Sequence, residues 1–236
     1  MSETSAVFVD DAERASGVLV GFTDRRGGVS GTPYESLNLA ARVGDDPDAV
    51  EENRRRAARA LGFDLATLAL ARQIHSANVL EAGSGRFGVI GEADVLVARE
   101  PGVTIAILTA DCAPVVLRGD EGIAVAHAGW RGLVGGAVES ALAALGKTQR
   151  AWVGPCIHSC CYEVGDEVVE AFRGKGLPVA DAKHVSPRDA SVAILERAGV
   201  TDIWASGDCT HCTPNYFSYR RDGITGRQGS FASLLA

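Results

Sequence analysis

Between Leu68 and Ala126, six short apolar runs follow one another with no amphipathic helix between them. They are Leu68–Arg72, Val79–Glu81, Asp94–Ala98, Val103–Leu108, Val115–Arg118 and Ile123–Ala126, each of strand length. Parallel neighbours in a doubly wound sheet need crossover connections of a dozen residues or more, usually helical. Most of these gaps are too short for that. The expected class is therefore α+β, a single domain with a mixed β-sheet or sandwich core flanked by helices.

The flanking segments fit this plan. Val18 to Phe22 reads as a strand leading into the Gly-rich loop Asp24 to Gly31. Asp46 is an N-cap with Pro47 at the first helical position, opening a helix through about Leu61 with Gly62 as its stop. Beyond the strand cluster, Gly132 to Leu145 is expected as one packed helix, Trp152–Val153 as a short strand, and Asp166–Phe172 and Pro187–Ala198 as helices. Ile203–Ala205 reads as a strand, and the alternation Tyr216–Tyr219 as the final strand before a basic loop, Arg220 to Arg227. No repeat or linker interrupts the 236 residues, so a single domain spanning 1–236 is expected.

The net charge of −7 argues against a general nucleic-acid binder, whose affinity comes from neutralising phosphates. It leaves room for a small anionic substrate at a local basic cluster. The most apolar run, Val103 to Leu108, is far too short to span a bilayer. Met1 to Asp11 lacks the basic-then-apolar pattern of a signal peptide, which points to a soluble, cytoplasmic protein. Thiols stay reduced there. Cys112, Cys156, Cys160, Cys161, Cys209 and Cys212 are then candidates for metal binding, catalysis or plain burial before disulfides.

Three segments place a metal-ligand type at the end of an apolar strand: His75 in Gln73-Ile74-His75-Ser76, Cys112 in Ala110-Asp111-Cys112-Ala113, and His127 in Ala126-His127-Ala128-Gly129. Pro114 breaks the strand pattern beside the cysteine. Zinc prefers thiolate and imidazole, and its catalytic sites keep three protein ligands with an open fourth position. Two other readings stand beside this one. Cys112 is a buried small hydrophobe with two strand-capping histidines, or Cys112 and His127 form a nucleophile–base couple without metal. Asp111 is expected to face away from Cys112, since strand neighbours point to opposite faces, leaving it at most a supporting role toward a histidine.

The stretches TDRRGGVSGTPYESLNLAARVGDDPDAVEENR, QIHSANV, LTADCAPVVL, AVAHAGWRGLVGG, VGPCIHSCCYEVGDEV and FSYRRDGITGR, running from about Gly21 to Arg227, together resemble the YfiH/YlmD-like family. Its members are variously called laccase-domain or polyphenol oxidase proteins, purine nucleoside phosphorylases and peptidoglycan editing factor. The resemblance implies that His75, Cys112 and His127 bind Zn2+. It further implies phosphorolysis of purine nucleosides (adenosine, inosine, S-methyl-5′-thioadenosine) together with adenosine deamination. Cys112 and Arg25 are the expected catalytic residues. Arg25, Asn38 and Arg221 are the expected contacts to nucleoside and phosphate, with Asn38 also readable as a turn residue bonding its own backbone.

The editing-factor name implies a rival chemistry, a zinc- or cysteine-dependent amide hydrolase that removes misincorporated serine from a peptidoglycan precursor. The laccase name is constrained by ligand supply. A four-copper oxidase needs roughly ten imidazole ligands, and this chain has five histidines. Weak polyphenol oxidation with one bound Cu2+ stays open. Cys156, Cys160 and Cys161, with Cys209 and Cys212 in CxxC spacing and Cys156 to Cys160 as the partner pair, raise a second, structural zinc site. The competing reading there is buried reduced thiols.

Overall fold

The computed structural model describes residues 6–235. Their elements run β1 (Ala6–Val9), α1 (Asp11–Ala15), β2 (Val18–Thr23), α2 (Pro47–Leu61), β3 (Leu68–Arg72), β4 (Val79–Ala82), β5 (Gly88–Glu92), β6 (Val95–Ala98), β7 (Thr104–Thr109), β8 (Ala113–Gly119) and β9 (Gly122–Ala128). There follow α3 (Trp130–Gly135), α4 (Ala137–Leu145), β10 (Thr148–Val153), α5 (Asp166–Gly174), α6 (Pro187–Arg197), β11 (Ile203–Ala205), α7 (Tyr219–Asp222) and β12 (Gln228–Leu234).

The strands form two mixed six-stranded sheets, ordered β1-β2-β12-β7-β3-β5 and β11-β10-β8-β9-β6-β4. Alternation within β2 shows how they stack. Val18, Val20 and Phe22 join Ile105 and Ile107 against Leu96, Val116, Val125 and Trp152 of the other sheet. Leu19, on the opposite face, packs with Leu68, Leu70 and Phe231 beneath Ala57 and Leu61 of α2. The outer face of the second sheet is covered by α3 to α6 through Leu133, Val138, Phe172 and Ile194. Both faces of each sheet are therefore covered, which is why β2, β6 and β9 are buried along their whole length and read as unbroken apolar runs.

α2 has the bounds its caps dictate: the Asp46 side chain accepts from the N–H of Asp48, and Gly62 takes the left-handed C-cap at φ 69°. Four other segments differ from expectation. The stretch Gly132 to Leu145 is two helices broken at Gly136, whose φ of 91° a continuous helix cannot contain. Tyr216 to Tyr219 is not the final strand. Tyr216 and Phe217 are both buried, and Ser218 caps α7 by accepting from the N–H of Arg221. The last strand is β12, whose small residues conceal a central position between β2 and β7. Pro114 lies inside β8 opposite His127, one residue beyond the last β10 pairing, where its missing N–H breaks no ladder bond.

Candidate metal centre

The chain crosses between the two sheets at one end of the sandwich, and the three candidate ligands meet there. His75 follows β3 of the first sheet, Cys112 lies between β7 of the first and β8 of the second, and His127 is the penultimate residue of β9. Gln73 pins the first of these ends. Its side-chain amide donates to the carbonyl of Leu108 at 2.9 Å and accepts the Leu108 N–H at 3.0 Å, continuing the β3–β7 pairing past the strand.

A residue outside the motifs organises the cluster. Asp94, fully buried just before β6, accepts from the N–H groups of Ile74 at 3.1 Å, His75 at 2.9 Å and Ser76 at 2.6 Å, and from the Ser76 hydroxyl. It also accepts from His127 Nδ1 at 2.8 Å. That bond fixes the tautomer and leaves Nε2 of His127 free for a metal. Burial opposes ionisation of Asp94, but the donors from His127 and Ser76 outweigh it and hold the carboxyl far below its usual range. Asp111, which the sequence offered for such a role, makes no hydrogen bond to a histidine among the described residues. Its carboxylate accepts from Thr210 Oγ1 and from the N–H of Arg220 instead.

The donor atoms of His75, Cys112 and His127 all lie within 4.8 Å of one another, with Cys112 Sγ 4.0 Å from His75 Nε2. The two imidazole rings stand 4.7 Å apart at an interplanar angle of 63°. His75 and Asp111 are the two non-glycine residues with positive φ among those described, at 60° and 92°. Each such conformation costs on the order of 1–3 kcal/mol, and here one falls on a candidate ligand and the other on the residue preceding one. Gly129 keeps the cradle open: a Cβ there would stand 2.9 Å from His75 Cδ2 and 3.0 Å from Cys112 Sγ. Without a metal, burial disfavours both charges, yet His127 and His75 bring the Cys112 thiol down and Cys112 and Asp94 raise His127. The donor set, the free Nε2 and the space kept by Gly129 fit a metal ion.

The centre opens into a cavity of about 670 Å3. Arg42, Arg54, Arg72 and Arg227 line it, and no Asp or Glu does. Arg72 is paired with Glu92 at 2.6 Å, whereas Arg42, Arg54 and Arg227 face no carboxylate at ion-pair distance among the described residues. Tyr219 and Val89, both largely exposed, stand at the mouth.

The residues expected to contact substrate, Arg25, Asn38 and Arg221, are not among those lining this cavity. Arg25 does not line the cavity: its Nε donates to the Glu35 carbonyl, its guanidinium lies over the Phe217 ring, and Asp222 is 3.7 Å away. Arg221 is spent on the carbonyls of Thr210, His211, Thr213 and Tyr216, clamping that loop. Asn38 is fully buried. Its amide donates to the Ala40 carbonyl and Asp45 and accepts the N–H groups of Ala40 and Arg227, leaving nothing for a ligand. It shapes the cavity through backbone, by placing Ala40 and Arg227 on its wall. Arg42 and Arg54 carried no motif beyond their place in the first family stretch, and Asp94 carried none at all.

A family model described as multi-copper polyphenol oxidoreductase laccase matches residues 19–235. The chain belongs to this family. Within it, the purine nucleoside phosphorylase of Streptomyces coelicolor is 41% identical over 241 residues, covering 96% of this chain and 99% of that protein. An adenosine deaminase from an unknown prokaryotic organism is 37% identical over 247 residues, covering 92% and 90%. The crystal structure of the Bacillus licheniformis protein YfiH superposes with a TM-score of 0.87 at 30% identity, covering 94% of each chain. The two-sheet α+β architecture is thus the family's fold, and the resemblance to YfiH/YlmD proteins holds over nearly the whole chain. No helix among the described residues is long and apolar enough to cross a membrane.

Proposed function

We propose that this protein is a zinc-dependent purine nucleoside phosphorylase acting on adenosine, inosine and S-methyl-5′-thioadenosine, and that the same pocket deaminates adenosine. The observation that carries the reading is one cavity joining a Cys/His2 cluster to four arginines with no acidic residue on its wall. A chain of net charge −7 has gathered local positive charge there, as an anionic co-substrate requires. The names of its relatives supply the substrate class.

The roles follow from position. His75, Cys112 and His127 would hold the zinc, which when bound supplies Lewis acidity toward water or a substrate oxygen or nitrogen. Arg42, Arg54 and Arg227 bind phosphate through charge-assisted forks and neutralise it as it approaches the anomeric carbon. Burial lowers the pKa values of Arg54 and Arg227, which places both guanidinium groups in a partly desolvated setting. Tyr219 and Val89 offer apolar surface to a purine at the mouth. Asp94 acts through His127 and the turn at His75 as a positioning residue.

The test is to incubate the zinc-loaded protein with adenosine, with and without phosphate, and to follow adenine, ribose 1-phosphate and inosine. Phosphate-dependent adenine with equimolar ribose 1-phosphate is expected. Phosphate-independent turnover with no ribose 1-phosphate sinks the phosphorylase reading. The rival amide hydrolase would use the same arginines on a diphosphate-linked wall precursor, and release of serine from that precursor would favour it. One-copper polyphenol oxidation is checked by loading Cu2+ and assaying a diphenol.

A further inference from the structure

A second group of metal-binding atoms lies outside the nucleoside cavity. The Sγ atoms of Cys160, Cys161, Cys209 and Cys212 all lie within 4.8 Å of one another, and all four are free thiols. Cys212 Sγ stands 3.7 Å from that of Cys160 and 3.2 Å from that of Cys161. Four thiolates at about 2.3 Å from one tetrahedral zinc stand roughly 3.7 Å apart, so little movement closes such a shell. Cys156, the partner suggested by sequence spacing, is fully buried and outside the cluster.

The two halves come from segments far apart in the chain, and backbone pairing already holds them together. Cys156 and Cys209 form a parallel bridge, the Thr210 N–H donates to the Cys156 carbonyl at 3.0 Å, and the His158 N–H donates to Cys209 Sγ at 3.4 Å. An N–H aimed at sulfur favours the thiolate. Cys160 and Cys212 are exposed, which gives an ion a route in. The Arg221 guanidinium, hydrogen-bonded to the carbonyls of Thr210 and His211, places positive charge on the same loop.

We propose that Cys160, Cys161, Cys209 and Cys212 form a closed tetrathiolate zinc site that fixes the loops behind Cys112. Zn2+ displaces four thiol protons, which pass to solvent, and the shell carries a net charge of about −2 with no electron transferred. Four protein ligands leave no open position, so the role is structural. The connection to the first centre is short. Thr210 Oγ1 donates to Asp111 Oδ1 at 2.6 Å, and Ile157 N–H donates to the Asp111 carbonyl at 2.8 Å. Both loops that carry the cysteines thus grip the positive-φ residue preceding Cys112.

The experiment measures zinc per chain by mass spectrometry of protein purified under reducing conditions without added metal. About two equivalents are expected in the native protein and about one in the Cys209→Ser/Cys212→Ser variant. In case that variant fails to fold, the His75→Ala/Cys112→Ala variant is titrated with Co2+. It should bind about one equivalent with intense tetrahedral d–d bands and four-thiolate charge transfer. Absence of that spectrum, unchanged zinc in the double-serine variant, or a Cys161–Cys212 disulfide in the freshly reduced protein would each overturn the proposal. Loss of the His75 site alone leaves this readout intact, so the two zinc assignments fail separately.

Discussion

The Asp94 carboxylate accepts the Nδ1–H of His127 at 2.8 Å while also accepting the backbone N–H of His75 at 2.9 Å. One buried side chain therefore orients two of the three candidate ligands, one through its ring and one through its backbone. Asp94→Asn keeps the size but turns one acceptor into an NH2 group facing N–H donors. Metal affinity should fall about 10–100-fold, as for other partners of metal-bound histidines. Competition with a chromophoric chelator measures this, and an unchanged affinity would remove Asp94 from the positioning role.

Gly129 is required for space rather than for backbone freedom, since its φ is −69°. Gly129→Ala should displace His75 or Cys112 by more than the ~0.2 Å that metal–ligand distances tolerate, lowering metal content and activity together. Gly135, in α3, has nothing within 4 Å of an added Cβ. Gly135→Ala should keep full metal content and raise stability by up to about 1 kcal/mol. Parallel metal analysis and thermal melts separate the two outcomes.

Arg42 is exposed at the cavity wall and unpaired among the described residues, so its loss should cost little stability. A charged hydrogen bond to phosphate is worth about 1.5–3 kcal/mol, so Arg42→Met should raise the KM for phosphate roughly ten-fold or more. The KM for nucleoside should change much less. Equal rises in both constants would place Arg42 outside the phosphate subsite.

Asp10 ties the N-terminal segment to the second sheet. It caps α1 by accepting the Glu13 N–H at 3.0 Å, accepts from Trp152 Nε1 at 3.0 Å and pairs with Arg150 at 3.1 Å. Burial raises its pKa, but these donors and the Arg150 charge together bring it below the ordinary aspartate value. A carboxyl depressed in the folded state stabilises fully above its unfolded pKa of about 3.9, and that share is lost as pH falls through the folded value. Asp10→Ala should cost about 1–3 kcal/mol near neutral pH. The gap from the native protein should narrow below pH 4 in urea melts. A gap independent of pH would show that the carboxylate charge is irrelevant.

The places where the sequence read true are local. α2 begins and ends where Asp46, Pro47 and Gly62 place it, and six strand runs lie at or near their expected positions. The misreadings have equally particular causes. β12 sits between β2 and β7 with small residues that show no apolar periodicity, so its centrality was invisible. Tyr216 to Tyr219 reads as a strand because its aromatics favour β structure, yet Tyr216, Phe217 and Ser218 are buried consecutively and Tyr219 is exposed.

Three metal-ligand types at strand ends were determined by the sequence itself, together with a strand-rich α+β class. The tertiary structure alone decided that a crossing between two sheets brings His75, Cys112 and His127 together. It also set Asp94 rather than Asp111 against His127, put Arg42 and Arg54 rather than Arg25 on the cavity wall, and left Cys156 outside the four-cysteine cluster. Each of those choices depends on contacts between residues distant in the chain. Propensity and spacing encode what a segment does by itself; only packing determines which carboxylate is buried beside a histidine and which arginine faces no carboxylate.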